Sequence, residues 1–150
     1  HIFSGAMTYG RVGASKSAEM DVILDRAQSL SRHGVVLRKP VSKQDLVAEF
    51  GKARVMLYKG DENETFCLAV GEAQAAGVPA VVQRFGSVVE RVKHAKTGVI
   101  ANTDREFAEA AVTILKDDAH WRECHINSQK LQRSWRWGEA AKAFEEFMSL

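Results

Sequence analysis

A chain of 150 residues fits one domain of ordinary size. Its 21 basic and 19 acidic side chains leave a net charge of +2, which excludes a strongly charged nucleic-acid binder and a disordered polyelectrolyte. At 45% hydrophobic and 27% charged, it has the material for a buried core.

Short apolar runs at residues 1–4, 35–38, 55–58, 80–83 and 98–101 read as strands. Most are apolar on both faces, as in a parallel sheet covered by helices on each side. Between them, Met20, Ile23, Ala27 and Leu30 recur at helical spacing, and Gly34 marks a stop. Ser42 is placed to cap a short helix carrying Asp45, Leu46, Val47 and Phe50. The stretch 66–76 is small and apolar, and Gly77-Val78-Pro79 ends it. After residue 101 only helices are expected. One is capped by Asp104 with an apolar face of Phe107, Ala111, Ile114 and Leu115, one covers 119–131, and the last carries Ala140, Phe144, Phe147 and Met148. Alternation followed by terminal helices predicts a doubly wound, Rossmann-like α/β domain over 1–150, with one parallel sheet of about five strands.

No apolar run is long enough to span a bilayer, and the first residues lack a secretory pattern. Two cysteines without a C-x-x-C pair argue against a disulfide scaffold or zinc site and point to a reducing, cytoplasmic compartment. His120 and His125 do not share a helical face, so no metal is expected. The tryptophans Trp121, Trp135 and Trp137 read as helix packing, with Lys130, Arg133 and Arg136 solvated, rather than as a nucleic-acid surface. Asp117-Asp118 reads as a cap at a helix junction. Cys67, near a helix start, has no neighbouring His to activate it and reads as packing under a loop.

Chemistry concentrates in residues 59–79. This segment leaves the carboxyl end of a strand through a polar loop and enters a helix, the place where open α/β sheets bind ligands. Glu64 stands at the turn and Glu72 eight residues on, amid Gly71, Ala73, Ala75 and Ala76. Were all eight residues helical, the carboxylates would lie about 12 Å apart along the axis, at two ends of an extended ligand. The N–H groups of Phe66, Cys67 and Leu68 would lie between them. Asp61, Glu62 and Glu64 lack calcium-loop spacing. Glu90 reads equally as a cap or ion pair and as an organiser of the ligand loop.

Glu64, seven residues, Glu72, then Ala73-x-Ala75-x-Gly77-x-Pro79 resembles the E-x7-E signature of family 4 retaining glycosyltransferases, in the C-terminal nucleotide-sugar-binding half of their GT-B fold. The segments 40–46, Gly86-Ser-Val-Val-Glu90, Thr97-Gly98 and 134–147 resemble that family's corresponding parts. The resemblance implies that Glu64 contacts the transferred sugar as the catalytic carboxylate, and that Glu72 binds the ribose. By the same resemblance, Phe66, Cys67 and Leu68 would line the phosphates, Thr65 would be a further donor-binding residue, and Val41 or its neighbours would flank the base. Cys67 departs from the family, which usually has Gly there. Residues 1–5 resemble the family domain's second strand, which would leave its first strand and helix, with an Arg and a Lys for the diphosphate, missing. A second register matches Gly10-Arg11-Val12 and Lys16 to that basic pair and leaves the next strand without sequence. The opening His1 reads as the start of an internal piece. The activity implied by the resemblance is hexose transfer from a nucleotide sugar, without cofactor, to a carbohydrate, lipid or small-molecule acceptor held by an N-terminal domain. Its setting would be the cytoplasm or the inner face of a membrane. A sheet lacking one strand further implies rearrangement, strand exchange or self-association to fill the gap. The alternative is a non-catalytic nucleotide-sugar-binding or interaction domain.

Overall fold

The computed structural model describes residues 2–3, 17–134 and 136–149. Ser4, Gly5, Arg11, Lys16 and Trp135 lie outside the described residues, and with them both registers for the N-terminal basic pair. The chain divides into two compact units, His1–Leu46 and Val47–Leu150.

In the first unit, β1 (Ile2–Phe3) pairs in parallel with β2 (Leu37–Arg38). Helix α1 (Ser17–Ser29) and a single 3-10 turn, Ser31–His33, connect them. Gly34 follows at φ +88°, the left-handed stop expected of it. Of the α1 stripe, Ala27 is buried, whereas Ile23 is 61% exposed. Helix α2 (Lys43–Phe50) carries the chain into the second unit. The Ser42 hydroxyl accepts the Asp45 N–H at 3.2 Å and donates to its carboxylate at 2.7 Å, which makes it the cap anticipated.

The second unit holds a three-stranded parallel sheet in the order β3 (Met56–Tyr58), β4 (Ala80–Gln83), β5 (Gly98–Ala101). The five strands thus form ladders of two and three, not one continuous ladder, among the described residues. Tyr58 stands opposite Val82, and Gln83 opposite Ala101, so the carboxyl ends lie side by side. Every residue of β4 is buried, as a central parallel strand requires. Between the strands lie α3 (Leu68–Ala75) and α4 (Val88–Arg91). Cys67, Val70, Ala80, Val82, Val88 and Val92 form the core beneath the site.

Helices α5 (Asp104–Lys116), α6 (Asp118–Arg133) and α7 (Trp137–Met148) complete the chain. The N-cap of α5 is Thr103, which accepts the Glu106 N–H at 3.2 Å, and not Asp104. Asp104 is the first helical residue and is held by Lys59 instead. Ala111 and Ile114 of the expected α5 stripe are buried, but Leu115, one residue round the helix, is half exposed. Asp117 caps α6 through the His120 N–H at 2.9 Å, as read. Trp121 packs as expected, donating to the Arg54 carbonyl at 2.8 Å and lying under its guanidinium. Trp137 does not. It is 91% exposed, and α7 buries none of its residues, so the packing expected for it is corrected. No described helix is long and apolar enough to cross a membrane.

Candidate functional site

The site begins where β3 stops. Lys59, Gln83 and Asp104, each just after or at the end of one strand, bind one another at that edge. Lys59 Nζ lies 2.7 Å from Asp104 Oδ1, and the Gln83 amide donates to the same oxygen at 2.8 Å. These two donors, the lysine first, pull the Asp104 carboxyl below its ordinary value.

From Tyr58 the chain passes through the polar loop to Glu64, which is half-buried. The Tyr58 hydroxyl donates to Glu64 Oε2 at 2.6 Å. Glu64 Oε1 accepts the Cys67 N–H at 3.0 Å and, weakly, the Phe66 N–H at 3.4 Å. The Tyr58 bond above all, then the Cys67 N–H, holds the Glu64 carboxyl below the usual range. Burial and the same bond push the Tyr58 phenol upward, so it remains a donor. Phe66 and Cys67 therefore do not both offer their N–H groups to a phosphate, as the sequence suggested. They serve the carboxylate of Glu64.

Helix α3 starts only at Leu68, so half of the Glu64–Glu72 interval is not helical and the 12 Å axial separation does not apply. Leu68 to Glu72 spans roughly 6 Å of axis, about one turn. Cys67 stands just before the helix at φ +52° and ψ +67°, the left-handed region that favours glycine. Its thiol is buried, and burial pushes it above its ordinary value, contrary to what a nucleophile needs. The helix ends as its Gly-Val-Pro sequence predicts. Val78 N–H reaches the Ala73 carbonyl and Gly77 N–H the Gln74 carbonyl, both at 2.9 Å, with Gly77 at φ +88°.

Two features of the site came from residues far away in sequence. Buried Arg91 donates to the Phe66 carbonyl at 2.7 Å and places its guanidinium 3.6 Å from the Phe66 ring centre. It thereby fixes the loop and brings positive charge beneath it. Gly86, at φ +51°, lets its turn close on the loop, and the Ser87 N–H then reaches the Glu64 carbonyl at 2.9 Å. Thr65, Phe66, Ser87, Glu90 and Arg91 line a recess of about 40 Å³ beside Glu64. Glu90 thus belongs to the loop cluster. Glu72 is half-buried on α3. Val41 lies in the first unit and is 43% exposed. A larger groove of about 350 Å³, lined by Lys93, Lys96, Lys130 and their neighbours, shares no residue with this cluster. No group of three or more metal-ligating side chains occurs among the described residues.

The arrangement supplies an oriented, anionic carboxylate at a sheet's carboxyl edge, directly before a helix N-terminus that favours anions. Known proteins with similar sequences and folds carry consistent names. The chain is 28% identical over 141 residues, 93% of its length, to the D-inositol 3-phosphate glycosyltransferase of Corynebacterium diphtheriae, of which this covers 33%. It is 32% identical over 113 residues to the N-acetyl-alpha-D-glucosaminyl L-malate synthase of Bacillus anthracis, covering 73% of this chain and 26% of that one. The chain thus spans about a third or less of these relatives. Among solved structures, HepE of Anabaena in complex with UDP shares the fold at a TM-score of 0.71 and 19% identity, over 88% of this chain and 38% of that one. Residues 12–131 match the family described as glycosyl transferases group 1, and the chain belongs to that family.

Proposed function

We propose that this chain is the C-terminal, donor-binding half of a retaining glycosyltransferase that moves a hexose from a nucleoside-diphosphate sugar to an acceptor hydroxyl. The observation that carries the reading is the carboxylate of Glu64, fixed by donors on both oxygens at the sheet edge and followed one turn into α3 by Glu72. Glu64 accepts from a hydroxyl of the transferred sugar and Glu72 from those of the ribose. The diphosphate lies on the first-turn N–H groups of α3 from Leu68 onward, since those of Phe66 and Cys67 hold Glu64. Thr65 borders the sugar. Catalysis is positioning plus electrostatic support of the departing diphosphate, with no metal in the scheme. Support for a uridine nucleotide comes from the solved HepE complexes, which contain UDP or UDP-glucose. The acceptor, a carbohydrate, lipid or small molecule, is held by a part of the protein outside this chain, so the chain alone binds donor without turnover. Two buried free thiols suit a reducing compartment such as the cytoplasm, with peripheral contact to a membrane where the acceptor is a lipid.

Calorimetric titration with uridine, guanosine and adenosine diphosphates and their hexose conjugates tests the reading. Glu72→Ala is expected to weaken both the bare and the sugar-bearing nucleotide by about tenfold, the order of one lost charged hydrogen bond. Glu64→Ala is expected to weaken only the sugar-bearing form. If none of the nucleotides binds, or both variants bind like the parent, the proposal fails.

A further inference from the structure

Tyr58 has no place in the motif that singles out Glu64, yet its hydroxyl approaches that carboxylate more closely than either the Cys67 or the Phe66 N–H does, at 2.6 Å. It ends β3, and its ring packs against the core cluster that includes Cys67, Val70 and Val82. An ionised carboxylate offers about four acceptor positions. Tyr58 takes one on Oε2, while the N–H groups of Cys67 and Phe66 approach Oε1. The side chain is thereby anchored at both oxygens, with about one acceptor position left for a ligand.

We propose that Tyr58 is a positioning residue for Glu64, its hydroxyl fixing the carboxylate as an oriented acceptor for a hydroxyl of the transferred sugar. This rests on the donor-site reading. A Glu side chain anchored only through Oε1 is held less tightly, because its last torsion is broad and roughly two-fold and one hydrogen-bonded oxygen leaves the other able to swing. The hydroxyl removes that freedom, because strand β3 and the core fix the ring that carries it. It also favours the ionised form of Glu64, the form that only accepts. Cross-strand packing alone would be served equally by Phe, so the hydroxyl is the part with a task.

Tyr58→Phe removes that one oxygen and keeps the ring. Carboxyl-carbon NMR of the full chain, without any ligand, reads the titration of Glu64. In the variant it is expected to move upward toward an ordinary glutamate. Calorimetry on the same samples, with the uridine, guanosine and adenosine diphosphates and their hexose conjugates, is expected to show the sugar-bearing form weakened about tenfold and the bare diphosphate unchanged. Glu64→Gln keeps the shape of the side chain and removes its charge. Added to Tyr58→Phe, it is expected to weaken the sugar-bearing form by less than the two separate effects combined, the mark of a shared interaction. An unmoved Glu64 titration, or equal weakening of both nucleotide forms, overturns the role of Tyr58. Parent protein that binds no nucleotide overturns the donor-site reading, and the sugar-recognition role falls with it, while the NMR shift separately reports the bond itself.

Discussion

Gly86 is the position where one added methyl group tests the site's architecture most directly. A Cβ built there would stand 2.6 Å from the Asp61 carbonyl oxygen, 2.8 Å from that of Glu64 and 3.1 Å from the Glu64 Cβ. Two of these neighbours are backbone, so no side-chain rotation relieves the crowding. The residue also sits at φ +51°, where an L side chain costs about 1–2 kcal/mol. Moving the turn away would break the Ser87 N–H bond to the Glu64 carbonyl, worth about 1 kcal/mol. Gly86→Ala is therefore expected to lower the free energy of unfolding by about 2–3 kcal/mol. Urea titration measures it. Gly138→Ala is the control of opposite sign: nothing lies within 4 Å of its added Cβ in α7, and removing a helical glycine is expected to raise stability by up to about 1 kcal/mol. Because the turn leans on the Glu64 loop, Gly86→Ala is also expected to weaken sugar-nucleotide binding. A variant as stable as its parent, with unchanged binding, would refute the close approach on which this site is built.

Two further outcomes concern ionisation. Asp104 has a carboxyl held below its ordinary value of 3.8, chiefly by Lys59. Its stabilising effect is present above that ordinary value and is lost as pH falls through the lowered one. Lys59→Ala is expected to return the Asp104 titration toward normal, read by carboxyl NMR, and an unchanged titration would show that the ion pair does not form. The Cys124 thiol is pushed from 9.0 up to about 11, chiefly by burial. The folded state holds that proton more tightly, so the stability it contributes is present below pH 9.0 and declines as pH rises through about 11. Cys124→Ala is expected to flatten that decline in urea titrations at a series of pH values, and maleimide labelling of both thiols at pH 8 is expected to wait for unfolding. Rapid labelling of the native chain would contradict the buried placement.

The five strands were legible because each is a short apolar run bounded by polar or glycine-containing loops. The central one, Ala80–Gln83, has the two-faced pattern of a buried parallel strand. Ser42 and Asp117 were legible as caps because capping is local, decided within three residues. Thr103 was displaced in that reading by its neighbour Asp104, since both types cap well and only the backbone decides between them. Glu64 and Glu72 could be found because their spacing and small-residue setting are written contiguously. Tyr58, Gly86 and Arg91 could not. Arg91 reaches Phe66 from 25 residues away, and no local periodicity encodes such a contact. The apolar stripe of α7 shows the complementary case. The pattern fixes a helix and its face, but Phe144 and Phe147 stay 72% exposed, because periodicity says nothing about what an apolar face meets.

Cys67 shows how the loop balances strain against orientation. Its left-handed backbone costs about 1–2 kcal/mol that glycine would not incur. That torsion is what lets the chain present the Cys67 N–H back toward Glu64 and then enter α3 at Leu68 without an intervening residue. Offsetting the cost are the charge-assisted bond to the carboxylate and a side chain only 3% exposed in the core cluster. Cysteine is small enough to fit there and apolar enough to gain from burial. The same burial raises the thiol's pKa above its ordinary value, which works against a nucleophilic role. Strain held by packing on one side and by an anion on the other is stable only while that anion stays ionised and in place. The Tyr58 hydroxyl, the Cys67 N–H and the Gly86 turn all act on this one condition, which is why each can be tested through Glu64.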